Sequence, residues 1–307
     1  MVTRFWLAAT PALFVLLWST GFIGAKYGLP ATEPFTFLAL RLLIAAGMLA
    51  LLAWLMGASW PRGPRLIIHI TVAGLLVHAG YLGGVFYAIH LGMAAGVVSI
   101  IVAVQPLLTA ALAGWLLGEQ VGLRQWLGLA LGALGVMLVV WNRLDGAGSW
   151  GAFVAALVAL LSITGGTLYQ KRFCPDSDIR TAGTIQYLGA GLLLLLLAVG
   201  FESMRIEWSG EFLFALAWLV LALSVGAVGL LFVLIRHGAA SRVASLFYLA
   251  PPVTVLLGYL LFDETLSPAA LAGLMVVMIG VLLVNLPQAR SAAAAPIAEG
   301  CVGSARH

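Results

Sequence analysis

Long apolar runs alternate with short polar breaks along almost the whole chain. A helix needs roughly 17–25 apolar residues to cross the hydrocarbon core of a bilayer, and these runs have that length. Pro, Gly and charged residues cluster in the breaks, as expected for loops between helices. The pattern predicts ten membrane-spanning helices, at Phe5–Tyr27, Pro34–Met56, Leu66–His90, Ala95–Leu117, Arg124–Trp141, Trp150–Gln170, Thr181–Val199, Glu211–Ile235, Val243–Leu261 and Pro268–Leu286.

The composition supports a chain that has lipid as its solvent. Hydrophobic residues make up 63% of its 307 residues, charged residues make up 8%, and the mean hydropathy is +1.11. Soluble domains carry about 25% charged residues. We therefore expect an all-α integral membrane protein, because a lipid-embedded backbone must satisfy its own hydrogen bonds.

The distribution of Lys and Arg predicts the orientation. With a cytoplasmic N-terminus, the inside segments carry eleven basic residues and the outside loops carry three, namely Lys26, Arg143 and Arg205. Cytoplasmic loops of membrane proteins are enriched in Lys and Arg. Both termini are thus predicted to be cytoplasmic, in a multi-pass protein of the bacterial inner membrane.

Two segments of the chain resemble each other at a fixed offset. Pro106 precedes Glu119 by thirteen residues, and Pro251 precedes Glu264 by the same interval. Further pairs share the offset of 145 residues: Thr109 and Thr254, Gly128 and Gly273, Gly135 and Gly280. A repeat unit of five helices is odd, so the second copy must enter the membrane from the opposite side, as in many secondary transporters.

The repeat divides the chain into three parts. We expect a first unit at 1–144, a second unit at 149–287, and a disordered cytoplasmic tail at 288–307. The tail is rich in Ala and low in sequence complexity, which is typical of an unstructured terminus.

Several motifs together resemble the drug/metabolite transporter superfamily, specifically its EamA branch. They are Trp18-Ser19-Thr20, Arg41-Leu42 and the two blocks that begin at Pro106 and Pro251. The resemblance covers the chain to Leu286 and implies ten helices in two inverted EamA repeats. It also implies export of amino acids or other metabolites, with the aromatic amino acid exporters as one candidate branch.

The predicted spans have no Asp or Glu near their middle. Proton-coupled carriers often use a buried carboxylate, so uncoupled facilitation is favoured. His78 is the titratable group predicted nearest mid-membrane, and Tyr81 shares its helix face. The pair is predicted to bind substrate, or to pass a proton; a histidine bonded between helices is the structural alternative.

Proline breaks in two predicted spans mark a second candidate region. Pro106 has no backbone N–H to donate, so a carbonyl upstream of it, near the Gln105 amide, loses its helical hydrogen bond. Pro251-Pro252 has the same effect in the ninth span. Paired broken helices often lie at a carrier's binding site. We predict hinges at Pro106, Pro251 and Pro252, and substrate contacts from Ser99, Gln105, Ser245 and Tyr248.

Three more residues within the spans have candidate roles. Trp18 lies deep in the first span, where it would line a cavity or pack in the core, and Thr164 is a further candidate contact. Arg41 is expected to reach the outer interface or to pair with a loop acid such as Glu33, since long cationic side chains snorkel, and substrate contact is the alternative.

The residues favour a secondary transporter of small zwitterionic or neutral metabolites that works by alternating access, and the resemblance implies that it exports them, above all amino acids. A proton-coupled antiporter that uses His78 is the first alternative, and a channel is the second. A channel would need a polar stripe along a whole helix, and an enzyme would need clustered His, Asp, Glu or Cys.

We expect no cofactor, no metal and no nucleic-acid partner. The expected partners are the lipid bilayer and a small-molecule substrate. The protein is predicted to be a monomer, with a dimer as the alternative.

Overall fold

The computed structural model describes residues 2–93, 98, 101–118, 120–140, 149–237, 243, 245–250, 252–253, 256–257, 260 and 268–286. The described residues are almost entirely helical, and their one β-bridge joins Thr32 to Ile206. The helices are α1 Val2–Gly28, α2 Pro34–Leu55, α3 Pro64–His90, α4 Gln105–Leu117, α5 Leu123–Val140, α6 Trp150–Phe173, α7 Ile179–Phe201, α8 from Gly210 to His237, and α9 Pro268–Asn285.

Local sequence signals set where several helices begin. Pro34 and Pro64 occupy the first turn of α2 and α3, where a missing N–H has no consequence. Ser149 and Ser209 precede α6 and α8, and their hydroxyls accept hydrogen bonds from Ala152 N–H at 3.3 Å and Phe212 N–H at 3.1 Å. Such caps satisfy N–H groups that the first helical turn leaves without a partner.

Five helices, of 22 to 27 residues, are long and apolar enough to span a membrane: Pro34–Leu55, Pro64–His90, Trp150–Phe173, Ile179–Phe201 and Gly210–Leu231. Their outward faces are apolar as well. Trp54, Leu196 and Phe201 expose 74%, 71% and 79% of their surface. A surface of this kind is stable against lipid and not against water, so the chain is a multi-pass membrane protein.

α3 and α8 each contain a stretch of π-helix. In α3 it covers Leu75–Gly80, and in α8 it covers Leu219–Ala227. Moving the first stretch forward by the repeat offset of 145 residues places it inside the second. π-Helical turns are rare and cluster at functional sites, so their matched positions support the internal repeat independently of the sequence motifs.

Glycine contacts between α5 and α9 follow the same repeat. A Cβ on Gly128 would lie 2.6 Å from the carbonyl oxygen of Gly280, and a Cβ on Gly135 would lie 2.8 Å from that of Gly273. Gly273 and Gly280 are the repeat partners of Gly128 and Gly135, so each contact is the image of the other. Reciprocal contacts of this kind arise when two similar units are related by a twofold axis.

α2 and α7, which correspond to each other in the repeat, also pack together. Leu43 of α2 would contact a Cβ on Gly191 of α7 at 3.0 Å. α7 approaches α3 equally closely, since a Cβ on Gly74 would lie 2.5 Å from the Cα of Gln186. Small residues therefore let the helices of the two repeats meet backbone to backbone, as in other membrane bundles.

The helix bounds agree with the sequence prediction to within three residues wherever a whole span is described. The predicted ninth span, Val243–Leu261, is described only in part, at 243, 245–250, 252–253, 256–257 and 260, and Leu246–Leu249 forms a short 3₁₀ turn there. The predicted tail 288–307 and the start of the fourth span also lie outside them. The π-helical stretches were not predicted.

The close approach of α5 to α9 predicts that Gly128→Ala is destabilising. The added methyl would meet Gly280 O at 2.6 Å and Val284 Cγ2 at 2.9 Å, so a backbone must move. Overpacking of this kind costs about 1–3 kcal/mol. Thermal unfolding of the purified protein in detergent should show a lower melting temperature.

Gly47→Ala is the matched control, because Gly47 is exposed on α2 and a Cβ there meets no atom within 4 Å. Alanine is favoured over glycine in a helix by roughly 0.5–1 kcal/mol, so this variant should melt at or above the wild-type temperature. Equal melting of wild type and Gly128→Ala would contradict the close helix contact.

Candidate functional site

A cavity lies where α1, α2, α3, α7 and α8 meet. Its walls thus come from both halves of the chain. The lining residues are Trp18, Gly21, Arg41, Val77, His78, Tyr81, Leu82, Val85, Phe86, Tyr187, Leu223 and Val228. Most of the wall is apolar, with a few polar groups that converge on the interior, which is the usual composition of a small-molecule site.

The cavity is narrow in this conformation. It measures about 550 Å³ when the part open to the outside is included, but the centre of a water-sized sphere can occupy only about 40 Å³ of it. One water requires roughly 10–15 Å³ by this measure. The interior therefore has room for a few waters or a small polar group, and a larger solute requires the walls to separate.

Arg41 is the cation of this cavity. Its side chain is 2% exposed, and its Nε donates a hydrogen bond to Ser224 Oγ at 3.0 Å. Ser224 is held in turn, because its hydroxyl donates to Leu219 O at 3.1 Å and its carbonyl accepts a hydrogen bond from the Tyr187 hydroxyl. The guanidinium is thus fixed by groups from α7 and from the π-helical stretch of α8.

The expectation for Arg41 was wrong. Arg41 neither reaches the interface nor pairs with Glu33, whose carboxylate accepts hydrogen bonds from Ser203. The Arg41 side chain does not extend to the interface because Arg41 lies close to the middle of α2 and has a polar partner inside the bundle. Among the lining residues none is acidic, and within the described part of the chain Arg41 forms no ion pair.

His78 lies on the same cavity wall, in the π-helical stretch of α3. Its Nε2 is 3.2 Å from Gln186 Oε1, and its ring centroid is 4.6 Å from that of Tyr187. Gln186 Nε2 donates to Gln170 Oε1 at 3.4 Å, which extends the polar chain to α6. His78 is therefore both a cavity residue and a histidine bonded between helices.

Gln186 and Arg41 are repeat partners, separated by 145 residues, and their contacts mirror each other. Arg41 of α2 bonds to the π-helical stretch of α8, and Gln186 of α7 bonds to that of α3. The backbone arrangement is thus nearly symmetric while the side chains differ. Only one of the two equivalent positions carries a charge.

Aromatic rings form one side of the cavity. Trp18 is nearly parallel to Tyr81, with ring centroids 6.1 Å apart and an interplanar angle of 10°. Its edge contacts Phe247 of the 3₁₀ turn at 5.1 Å and 90°. Ser19, the next residue, donates to Ala250 O at 3.3 Å, so this segment of α1 also fastens the two repeats together.

The cavity brings together three of the predicted contact residues, Trp18, His78 and Tyr81. Four others lie elsewhere. Gln105 is buried and its Nε2 donates to Thr109 Oγ1 at 3.2 Å, while Thr164 donates to its own backbone at Leu160 O. Ser245 and Tyr248 are buried as well, and the Tyr248 ring packs where a Cβ on Gly132 would meet it at 2.6 Å.

The predicted hinges are partly visible. The helix is interrupted at Ala103 and Val104, and α4 begins at Gln105 with Pro106 in its first turn. Pro252 is helical and buried shortly after the 3₁₀ turn. Ser99 and Pro251 lie outside the described residues.

Tyr187 and Phe86 line the cavity and were missed by the sequence analysis. The repeat offered a signal for Tyr187, because it follows Gln186, the partner of Arg41. Phe86 had no comparable signal, since an aromatic residue in an apolar helix has no pattern of its own.

A polar cluster closes one end of the α2–α7 pair. Glu202 accepts hydrogen bonds from the N–H groups of Phe35 and Thr36 and from the Thr36 hydroxyl, each at 2.7 Å. Glu33 accepts from Ser203 N–H at 2.6 Å and from its hydroxyl at 2.7 Å. We call Glu33, Thr36, Glu202 and Ser203 the carboxylate latch; its carboxylates join the start of α2 to the end of α7.

The corresponding end of the second repeat lacks this arrangement. There Asp178 caps its own helix and forms an ion pair with Arg180 at 2.6 Å. The hydrogen bond that crosses to the α2–α3 loop is the one from Thr181 Oγ1 to Ser59 O, at 3.1 Å. The two ends of the repeat pair are therefore held with unequal strength, because bonds to ionised carboxylates are the stronger kind.

Two helical repeats that enclose a small cavity between them define a class of multi-pass membrane proteins to which many transporters belong. The sequence model of the EamA-like transporter family matches residues 6–141 and again residues 149–286. The protein belongs to the EamA-like transporter family and contains two EamA repeats.

Known proteins resemble the chain over most of its length. The uncharacterized inner membrane transporter YedA of Escherichia coli strain K12 is 31% identical over 280 residues, which cover 90% of both chains. A probable amino-acid metabolite efflux pump of Salmonella typhimurium is 25% identical, over 88% of this chain and 92% of the pump. A solved crystal structure with 22% identity has a TM-score of 0.75 and covers 90% of this chain and 95% of its own.

The carboxylate latch predicts a pH-dependent contribution from Glu33. Hydrogen bonds from the Ser203 side chain and backbone hold the pKa of Glu33 below its ordinary value of 4.5. A lowered folded-state pKa stabilises the fold above the unfolded pKa, and this contribution is lost as the pH falls through the folded value. The melting temperature of Glu33→Gln should therefore be below that of wild type at pH 7, with a difference that shrinks below about pH 4.5.

Glu207→Gln is the control in the same loop. Glu207 is exposed and is tied to Ala31 O through its backbone N–H, which the substitution keeps. This variant should follow the wild-type curve. A melting difference for Glu33→Gln that is absent at pH 7, or that persists unchanged at pH 3, would argue against the latch.

Proposed function

We propose that the protein is a secondary transporter of the bacterial inner membrane that exports small zwitterionic or neutral metabolites, amino acids above all, by alternating access. The observation that carries this proposal is the cavity between the repeats, which has polar groups converging from α2, α3 and α7. A site shared by two similar units can be exposed to either side when one unit rocks against the other.

The proposed topology has ten membrane-spanning helices in two inverted repeats. The reciprocal contacts of Gly128 with Gly280 and of Gly135 with Gly273 support a twofold relation between the units. With five helices in each unit, such a relation inverts the second one. The excess of Lys and Arg in alternate loops supports cytoplasmic termini.

The carboxylate latch then lies at the outer face and acts as a gate. Its hydrogen bonds join α2 to α7, the helices that carry Arg41 and Tyr187. Opening this end requires those bonds to break, while the opposite end is held by bonds that involve no carboxylate, such as Thr181 to Ser59 and His69 to Tyr169. The conformation described here is thus more tightly closed at the outer side.

Amino acids are supported as substrates by two observations. The Salmonella typhimurium relative carries the name of a probable amino-acid metabolite efflux pump. The cavity pairs an aromatic and aliphatic wall with a cation, which suits a carboxylate attached to an apolar body.

Uncoupled facilitation is the proposed mode of transport. The lining residues in the described part of the chain include no Asp or Glu that could carry a proton through the cycle. A proton-coupled antiporter is the second candidate, and the observation that favours it is the buried His78 beside Gln186. A channel is disfavoured because the polar groups converge on one cavity.

Efflux from liposomes tests the transport proposal. The purified protein is reconstituted, the vesicles are loaded with a radiolabelled amino-acid panel, and efflux is followed with and without a pH gradient. We expect concentration-driven efflux of amino acids with apolar side chains and little effect of the pH gradient. Efflux of no amino acid would overturn the proposed substrate class, and strict dependence on the gradient would overturn uncoupled facilitation.

His78→Ala separates the two candidate modes. We expect slower efflux, because the substitution removes a cavity wall and the bond to Gln186, with the response to the pH gradient unchanged. His90→Ala, at the exposed end of α3, is the matched control and should transport like wild type. Transport by His78→Ala at the wild-type rate would remove His78 from the site, and loss of gradient-driven transport alone would favour the antiporter.

A further inference from the structure

Arg41 carries an inference that rests on the proposed transport function and revises its substrate class, because it adds monocarboxylate anions to the zwitterionic solutes and excludes neutral ones. We propose that the guanidinium of Arg41 binds the carboxylate of the transported solute, that this contact is required for recognition, and that an amino group on the solute is dispensable. The site is thus one for organic monocarboxylates with an apolar body, amino acids included, and it rejects their neutral amides.

The first argument is the fixed orientation of the guanidinium. Nε donates to Ser224 Oγ, and Ser224 is held through Leu219 O and the Tyr187 hydroxyl. Within the described residues Nε makes the only hydrogen bond of this side chain, and Arg41 lines the cavity. The two terminal NH₂ groups are therefore available to a ligand, in the planar fork that matches a carboxylate.

The second argument is charge. A buried cation without a counter-ion is strongly unfavourable, so buried arginines are normally paired. Arg41 is 2% exposed, and none of the described residues that line the cavity is acidic. A ligand that brings its own negative charge supplies the missing partner, whereas a neutral amide does not.

The third argument is the shape of the space. The part that a water-sized sphere can enter, about 40 Å³, suits a carboxylate group and little more. The neighbouring walls are apolar, with Phe86 and Leu223 among them. A solute would place its head group at Arg41 and separate these walls with its apolar body.

The fourth argument concerns the amino group of an amino acid. An ammonium would need an acid or an open aromatic face. The lining includes no acid among the described residues, and one face of the Trp18 ring is already covered by Tyr81. The cavity therefore offers the ammonium no dedicated partner, so a deaminated acid should bind as well.

Three probes with one phenyl body test the proposal in the reconstituted full-length protein: phenylalanine, 3-phenylpropanoate and the neutral amide 3-phenylpropanamide. Wild type should transport the first two and not the amide. Arg41→Gln should raise KM for both acids by about 10- to 100-fold, the range expected for loss of hydrogen bonds to a charged group. Arg41→Lys should also raise KM, because an ammonium keeps the charge and loses the fork.

Ser224→Ala tests whether the hydrogen bond that orients the Arg41 guanidinium affects substrate binding, separately from an effect of losing Arg41 on folding. It leaves the charge in place and removes the acceptor that fixes Nε, so KM for the acids should rise less than in Arg41→Gln. Arg180→Gln is the control for loss of a cation, since Arg180 pairs with Asp178 at the start of α7 and does not line the cavity. Its KM values should equal those of wild type. If Arg41→Gln does not fold, the carboxylate site is tested instead with Arg41→Lys, Ser224→Ala and the three probes on wild type.

Ligand-induced thermal stabilisation in detergent measures binding without transport, so it tests the carboxylate site independently of the transport proposal. Stabilisation of wild type by 3-phenylpropanoate, lost in folded Arg41→Gln or Arg41→Lys, supports the carboxylate site even if no flux is observed. The inference is overturned by unchanged KM in the Arg41 variants, by equal handling of the acid and its amide, or by absence of any stabilisation of wild type by the acids. Transport of phenylalanine with rejection of 3-phenylpropanoate would overturn the claim that the amino group is dispensable.

Discussion

The bond from Arg41 to Ser224 joins the two repeats at the one place where a positive charge is buried among the residues that the structure describes. A charge removed from water must be held by dipoles and by fixed geometry, or it destabilises the fold. Arg41 meets part of this requirement through Ser224 in the π-helical stretch of α8, and the Tyr187 hydroxyl of α7 holds Ser224 in place. This contact therefore joins α2, α7 and α8 around the cavity, beside the other polar contacts between the halves such as His78 to Gln186.

Close helix contacts make that geometry possible. Gly74 lets α3 lie against Gln186, and Gly21 lets α1 approach Leu223, whose Cδ2 would be 2.6 Å from an added Cβ. His78 and Arg41 reach the same cavity because these backbones come within a side chain's length of one another. The reciprocal glycine contacts of α5 and α9 give the repeats a second interface away from the cavity. Packing thus holds the walls in place while the polar contacts set what the cavity can bind.

Much of the fold is predictable from the sequence, for reasons that are local. Helix lengths follow from apolar runs that must cross lipid, and starts such as Pro34 and Ser149 carry their own signals. The offset that pairs Gly128 with Gly273 predicted the repeat. What was not predictable depends on residues far apart in the chain. Arg41 and Ser224 are 183 residues apart, and the π-helical stretches reflect tertiary fit rather than local propensity.

Under the alternating access proposed above, the repeat lets one cavity serve two conformations and still bind a solute in one orientation. The backbones of the halves make equivalent contacts, so closing either end involves similar helix packing. The side chains break this symmetry: Arg41 corresponds to Gln186, and His78 corresponds to Leu223. With one cation at one of two equivalent positions, the proposed carboxylate solute would have a single preferred direction, whichever end of the bundle is open. In that scheme the unequal ends, with carboxylates at Glu33 and Glu202 against a hydroxyl at Thr181, would bias which conformation is populated at rest.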